Sequence, residues 1–184
     1  DYWEDYYLKH GRDLGLEKQS SFATFCHNFF LNSKKKHIVE LGSGNGRDSI
    51  YFAKHGYKVS AIDQSTTAII NEKNKNHSGI YSNLTPIQDD FIKYDFSSIA
   101  PIDVFYSRFT LHAISKNDEN ILLPKVFSSL LTGGIFCIEV RTIKDTLYGK
   151  GEDYGDNAYK TDHYRRFIDS QKFLKLMFSY GFEL

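Results

Sequence analysis

The run Ile38-Val39-Glu40-Leu41-Gly42-Ser43-Gly44-Asn45-Gly46 decides the fold of this chain. A short apolar stretch ends on an acid and passes into three alternating glycines. Beyond them Ile50, Phe52 and Ala53 recur with a helical beat. The pattern predicts a strand, a tight glycine turn and a helix, a geometry that lets backbone approach a small molecule closely. About twenty residues on, Val59-Ser60-Ala61-Ile62 ends in Asp63, an acid placed to grip a ribose. Together the two points suggest a nucleoside-containing cofactor.

Working outward, the spacing predicts helix from Trp3 to about Leu31, with Phe22, Phe25, Phe29 and Phe30 as one apolar stripe. Lys34-Lys35-Lys36 reads as a solvated bridge into a first strand, His37 to Leu41. A helix follows from Arg47 to about His55, stopped by Gly56. A second strand is expected over Tyr57 to Ile62, a helix capped by Ser65 to about Asn76, and a polar turn over Asn74 to Ser78. Further strands are expected at Pro86 to Gln88, Ile102 to Ser107 and Ile135 to Val140. A helix from Asp118 to Leu131 should be kinked or restarted at Pro124. Thr142 to Asp162 lacks periodicity, as functional loops often do. Ser170 to Tyr180 reads as a last amphipathic helix closed by Gly181, and Phe182-Glu183-Leu184 as the opening of another strand.

Alternating strands and helices with short connections demand a mostly parallel sheet with helices on both faces, an α/β fold. The expected organisation is a single domain: an N-terminal helical cap (1–36), a cofactor-binding core (37–142), and an acceptor loop with the last helix (143–184). The chain opens on Asp1 rather than Met and stops in mid-element, which suggests that the natural start and a C-terminal strand pair are missing.

Composition narrows the function. The 23 basic residues balance the 23 acidic ones, so net charge argues for neither nucleic acid nor an anionic membrane as partner. No apolar run is long enough to span a bilayer. Cys26 and Cys137 have no metal-site spacing and read as free thiols, as expected in the cytoplasm; no metal is implied. Composition says nothing of oligomeric state.

The glycine run resembles motif I of the class I S-adenosylmethionine-dependent methyltransferases. Asp63 is similar to their acid after the second strand, Asp89-Asp90-Phe91 to the acidic position near the third, Asp103 to Phe109 to the fourth-strand motif, and Leu131-Thr132-Gly133-Gly134 to the glycine turn before the fifth. These landmarks come in order along the whole chain. The resemblance implies a Rossmann-like methyltransferase fold, S-adenosylmethionine as cofactor and S-adenosylhomocysteine as product. Gly42, Ser43, Gly44, Asn45 and Gly46 would line the cofactor, with Glu40 balancing its positive charge and fixing the turn. Asp63 and Gln64 would meet the ribose, and Asp90, favoured over Asp89 by the family pattern, the adenine beside Phe91. Arg108 is placed beside the cofactor or on an acceptor anion, and Tyr7, with Trp3, as a lid over the cofactor, with core packing the equal alternative. A nicotinamide dinucleotide is the competing cofactor, but its pyrophosphate suits the acid at Glu40 poorly.

Methyl transfer from a sulfonium is an in-line displacement that needs alignment and exclusion of water. A phosphate acceptor is already anionic and needs only cations to hold it. Arg141 leaves the end of the fifth strand, and Lys150, His163, Tyr164, Arg165 and Arg166 follow in the late segment, an expected anion site. Pairing of these cations with Asp153, Asp156 and Asp162 is the alternative. Trp3 to Tyr7, Gly46-Arg47-Asp48-Ser49 and His163 to Phe167 resemble methyltransferases of bacterial capsule and O-antigen gene clusters, which implies a phosphate or phosphoramidate acceptor on a surface polysaccharide or its precursor. His112, just past the fourth strand, is the candidate base for a neutral amine, thiol or hydroxyl acceptor if its pKa is near neutral, with a hydrogen-bonded structural histidine under the cofactor as the equal alternative. A cofactor-binding interaction module without turnover is a third reading.

Overall fold

The structure is a computed structural model, and it describes residues 2–10, 18–76 and 79–184. The chain divides into two compact units. The first holds residues 1–107 and 129–137, the second residues 108–128 and 138–184.

In the first unit a five-stranded sheet has the order β3-β2-β1-β4-β5. Its strands are β1 (His37–Leu41), β2 (Lys58–Asp63), β3 (Leu84–Gln88), β4 (Ile102–Arg108) and β5 (Leu130–Glu139), the last two ending just past the unit's boundary. β1 pairs parallel with β2 and β4, and β2 with β3. The order and parallel pairing are those of a Rossmann-like sheet. β1 is buried along its whole length, as a strand covered on both sides must be. Helices α1 (Tyr2–His10), α2 (Ser21–Phe30), α3 (Arg47–Lys54) and α4 (Thr66–Lys75) complete the unit. The core joins Ala23, Cys26 and Phe30 of α2 to Phe52 and Ala53 of α3, and to Ile38, Val59, Ala61, Val104 and Tyr106 of the sheet.

The single N-terminal helix expected over Trp3 to Leu31 is two helices; residues 11–17 of that expectation lie outside the described residues. Ser20 is extended and caps α2, accepting from the Ala23 N–H at 3.0 Å. The apolar stripe of α2 is Ala23, Cys26 and Phe30, while Phe25 and Phe29 are more than 60% exposed. Both precede a buried position by one residue, about 100° round the helix. Part of the turn expected over Asn74 to Ser78 also lies outside the described residues. β5 begins five residues before the expected Ile135, so Gly133 and Gly134 lie within a strand rather than in a turn before it. Cys26 and Cys137 are free thiols.

The second unit contains α5 (Lys116–Ser129), which runs unbroken through Pro124. The stretch without periodicity folds as a three-stranded antiparallel sheet of β6 (Glu152–Gly155), β7 (Ala158–Lys160) and β8 (Tyr164–Arg166). Strands of three or four residues are too short to leave a period in sequence. α6 (Ser170–Tyr180) is capped by Asp169 and closed by Gly181 at φ 98°. Phe182 to Leu184 forms no strand; Phe182 packs edge-on against Phe127 of α5.

Candidate active site

The glycine loop after β1 is held to β2 by backbone alone. The N–H groups of Gly42 and Ser43 both donate to the Ile62 carbonyl, at 2.8 and 3.0 Å. Gly44 (φ 56°) and Gly46 (φ 76°) are left-handed, and both are also closely approached. A Cβ on Gly44 would stand 2.2 Å from the Tyr7 hydroxyl, and one on Gly46 2.2 Å from Glu72 Cγ. Tyr7 therefore lies against the loop at Gly44. Its helix is fastened by Glu4, which accepts from the Ser65 hydroxyl at 2.7 Å and the Thr67 N–H at 3.2 Å at the start of α4.

Asp63 braces the same loop. Its two carboxylate oxygens accept from the Gly44 N–H at 2.8 Å and the Ser65 N–H at 2.9 Å. Gln64 beside it is exposed. Asp90 is half-buried, accepts from the Ile92 N–H at 3.0 Å and pairs with Lys93 at 3.3 Å; Asp89 is exposed and accepts from the Asp90 N–H. Phe91 is half-buried beside them.

Four buried carboxylates gather behind and beside the loop: Glu40, Asp48, Asp63 and Glu72. Glu40 accepts from Ser49 of α3, and burial, reinforced by the charge of Asp48, holds its pKa well above the usual carboxylate range. Burial also raises Asp63, against the two backbone hydrogen bonds it accepts. Glu72, fully buried on α4, accepts from the Ser43 hydroxyl at 3.1 Å and is pushed up to about 8 by burial. Asp48 ties three elements together. It accepts from the Ser20 N–H and hydroxyl, both at 2.7 Å, and from the Tyr106 hydroxyl at 2.8 Å.

The arrangement has the chemistry to suit a cation. Raised carboxylate pKa values mean that negative charge is costly here until a positive group enters. Beside the glycine loop, Asn45 Nδ2, a donor, and Glu72 Oε1, an acceptor, are buried polar atoms without partners among the described residues. A sulfonium donor with an ammonium and a carboxylate fits acids plus one spare amide donor, whereas a pyrophosphate would face only repulsion from the acids. Glu40, Asp63 and the loop from Gly42 to Gly46 would hold S-adenosylmethionine, and the chemistry it supplies is an activated methyl group.

The second unit carries the candidate acceptor residues. His112 is 4% exposed, and its Nδ1 accepts from the Arg141 N–H at 3.4 Å. Burial, followed by the positive charges of Arg141, Arg165 and His163, lowers its pKa to about 3. The near-neutral value expected of a base is therefore not what the structure gives. Arg141 donates to Asp145 at 2.7 Å through Nη1, and its other two guanidinium nitrogens make no hydrogen bond among the described residues. Its guanidinium lies 5.6 Å from the centre of the Phe109 ring, and that of Arg108 lies 4.4 Å from it. Arg108 also forms an ion pair with Glu139 at 2.6 Å.

Arg166 is a correction to the sequence reading. It is buried, and its guanidinium is consumed by Glu119 and by the carbonyls of Ile114 and Leu111, both at 3.2 Å. Nε and Nη2 tie the chain of the second unit together from a buried position. Arg165 is paired two-pronged with Asp162, at 2.6 and 3.2 Å, and His163 meets the same carboxylate at 2.9 Å. The pairing alternative thus holds for these two through Asp162, though both still act on His112. Lys150 is exposed in a turn, and Tyr164 packs edge-on against Tyr154.

Three residues escaped the sequence reading. Glu72 follows Ser65, Ala68 and Ile69 at helical spacing, so an acid on the buried face of α4 was a signal available in sequence. Phe109 adopts φ 57°, rare for an aromatic residue, and no residue type announces it. Asp145, four residues beyond Arg141, was open to the pairing arithmetic.

Residues 38–134 match the family described as a methyltransferase domain. A carboxy-S-adenosyl-L-methionine synthase of Vibrio cholerae serotype O1 is 29% identical over 112 residues, 58% of this chain and 44% of the relative. The match thus spans less than half the length of that relative. Among solved structures, the CcbJ methyltransferase of Streptomyces caelestis superposes with a TM-score of 0.79 at 13% identity, covering 98% of this chain and 86% of the other. A Burkholderia thailandensis 1,6-didemethyltoxoflavin-N1-methyltransferase, with bound 1,6-didemethyltoxoflavin and S-adenosylhomocysteine, gives a TM-score of 0.70 at 15% identity, covering 98% and 76%.

Proposed function

We propose, from the premise that this chain belongs to the methyltransferase-domain family and is an S-adenosylmethionine-dependent methyltransferase, that its acceptor is a small or saccharide-linked molecule carrying an anionic phosphoryl-type group. The setting is the one implied by the sequence resemblance, surface-polysaccharide synthesis in the cytoplasm. The observation that carries the reading is Arg141. It is half-buried over Phe109, spends one nitrogen on Asp145 and keeps two free to donate. A guanidinium so placed suits a phosphoryl oxygen, which it can hold by two parallel hydrogen bonds. Arg165 adds positive charge around His112.

An ionised phosphoryl oxygen is its own nucleophile, so no residue need remove a proton. That agrees with His112, whose pKa of about 3 makes it neutral and a weak base at pH 7. In this reading His112 orients the Arg141 backbone through Nδ1 and so helps to set where the guanidinium stands. In the first unit, Glu40, Asp63 and the glycine loop bind and orient the donor.

Two tests follow. Arg141→Ala should lower kcat/KM on a hexose phosphate probe about thirtyfold, the worth of a charge-assisted hydrogen bond, and leave binding of S-adenosylmethionine within about twofold. Unchanged turnover on the phosphorylated probe refutes the anion reading. The pH profile of kcat should show no limb between pH 6 and 7, because His112 does not titrate there. Such a limb, present in the native enzyme and lost in His112→Gln, would instead establish base catalysis on a neutral acceptor.

A further inference from the structure

We infer that Glu72 is a positioning residue of the donor site that carries a proton in the free protein and yields it to solvent when the cationic donor binds, so that the site tells the sulfonium donor from its neutral-sulfur product. The inference concerns the donor and stands apart from the choice of acceptor.

The geometry carries it. Glu72 is fully buried and reaches both ends of the loop from Ser43 to Gly46. Oε2 accepts from the Ser43 hydroxyl at 3.1 Å, and Cγ lies where only a glycine at position 46 leaves room. Oε1 has no partner among the described residues. The groups that act on it come from every element around it. Ser43 of the loop donates to it, Asp63 of β2 repels it, and Lys75 of its own helix attracts it. Glu40 of β1 feels its charge in turn. Burial, with the charge of Asp63 added, outweighs the Ser43 hydrogen bond and the lysine and pushes the pKa up to about 8. The carboxyl is thus neutral in the free protein at pH 7.

When a sulfonium enters, one positive charge comes in. The neutral carboxyl then releases its proton to water and keeps the electron pair of the O–H bond as a carboxylate. The released proton carries one positive charge to water, so the occupied site has the same net charge as the empty one, and the buried carboxylate gains a counter-charge. After transfer the sulfur is a neutral thioether, so the carboxylate loses that partner and takes a proton back. Proton uptake then favours release of the product.

Calorimetric titration of the intact protein with S-adenosylmethionine, at pH 7 in buffers of differing ionisation enthalpy, counts the protons released. Release is expected with S-adenosylmethionine and less with S-adenosylhomocysteine. The ratio of the two affinities should rise about tenfold between pH 6.5 and 8.5. In Glu72→Gln that rise should vanish and the proton count should fall. Ser43→Ala, which removes a hydrogen bond to the carboxylate, should move the midpoint of the rise to higher pH. An affinity ratio independent of pH in the native protein, or one equally dependent in Glu72→Gln, overturns the inference. If Glu72→Gln does not fold, an unmoved midpoint in Ser43→Ala overturns it.

Discussion

Asp48→Ala is expected to destabilise the protein by about 4 kcal/mol, read as a fall in the urea midpoint for the full chain. The side chain is 2% exposed and accepts three hydrogen bonds, from the N–H and hydroxyl of Ser20 and from the hydroxyl of Tyr106. Truncation leaves donors from the N-terminus of α2 and from β4 facing a space in which neither has another acceptor of equal quality. The Ser20 and Tyr106 hydroxyls lie 3.2 Å apart and can satisfy only one proton between them. Each buried donor left unpaired costs about 1–3 kcal/mol. Asp48→Asn keeps one oxygen and should lose roughly half as much. A loss below about 1 kcal/mol in Asp48→Ala would show that the network is not what joins α2 to the sheet.

Glu72→Gln should act in the opposite direction in the free protein, and the sign depends on pH. The folded-state pKa of Glu72 is raised to about 8 from an ordinary 4.5. The folded form thus binds the extra proton, and the stability it contributes is fully present below pH 4.5 and lost as pH rises to 8. At pH 7 the accumulated cost is about 3 kcal/mol. Glutamine cannot ionise and still offers an oxygen to the Ser43 hydroxyl, so it recovers part of that cost, about 2 kcal/mol. Thermal melts should place the variant above the native protein at pH 8 and level with it near pH 4.5. A variant no more stable at pH 8 would mean that Glu72 is already ionised in the free protein. Stability gained with donor discrimination lost is the trade expected of a binding group held in an unfavourable state.

Much of the donor side was legible in sequence because its signals are local. Glycines at 42, 44 and 46 between a buried strand and a helical beat define the turn, and Asp63 arrives at the end of the next strand. Tyr7 was read as a lid from its aromatic neighbours, and the structure places it over Gly44. The acceptor side was far less legible. Arg141, Arg165 and Arg166 look alike in sequence, yet one keeps free donors, one is clamped by Asp162, and one is buried on Glu119, forty-seven residues away.

The sequence by itself determined the order of strands and helices and the glycine turn with its acids, since each depends on residues within a few positions of one another. It could not set the ionisation of Glu72 or His112, the left-handed Phe109, or the fate of each arginine. Only the tertiary structure decided those, because desolvation and partner charge arise when distant segments close around a group and water leaves.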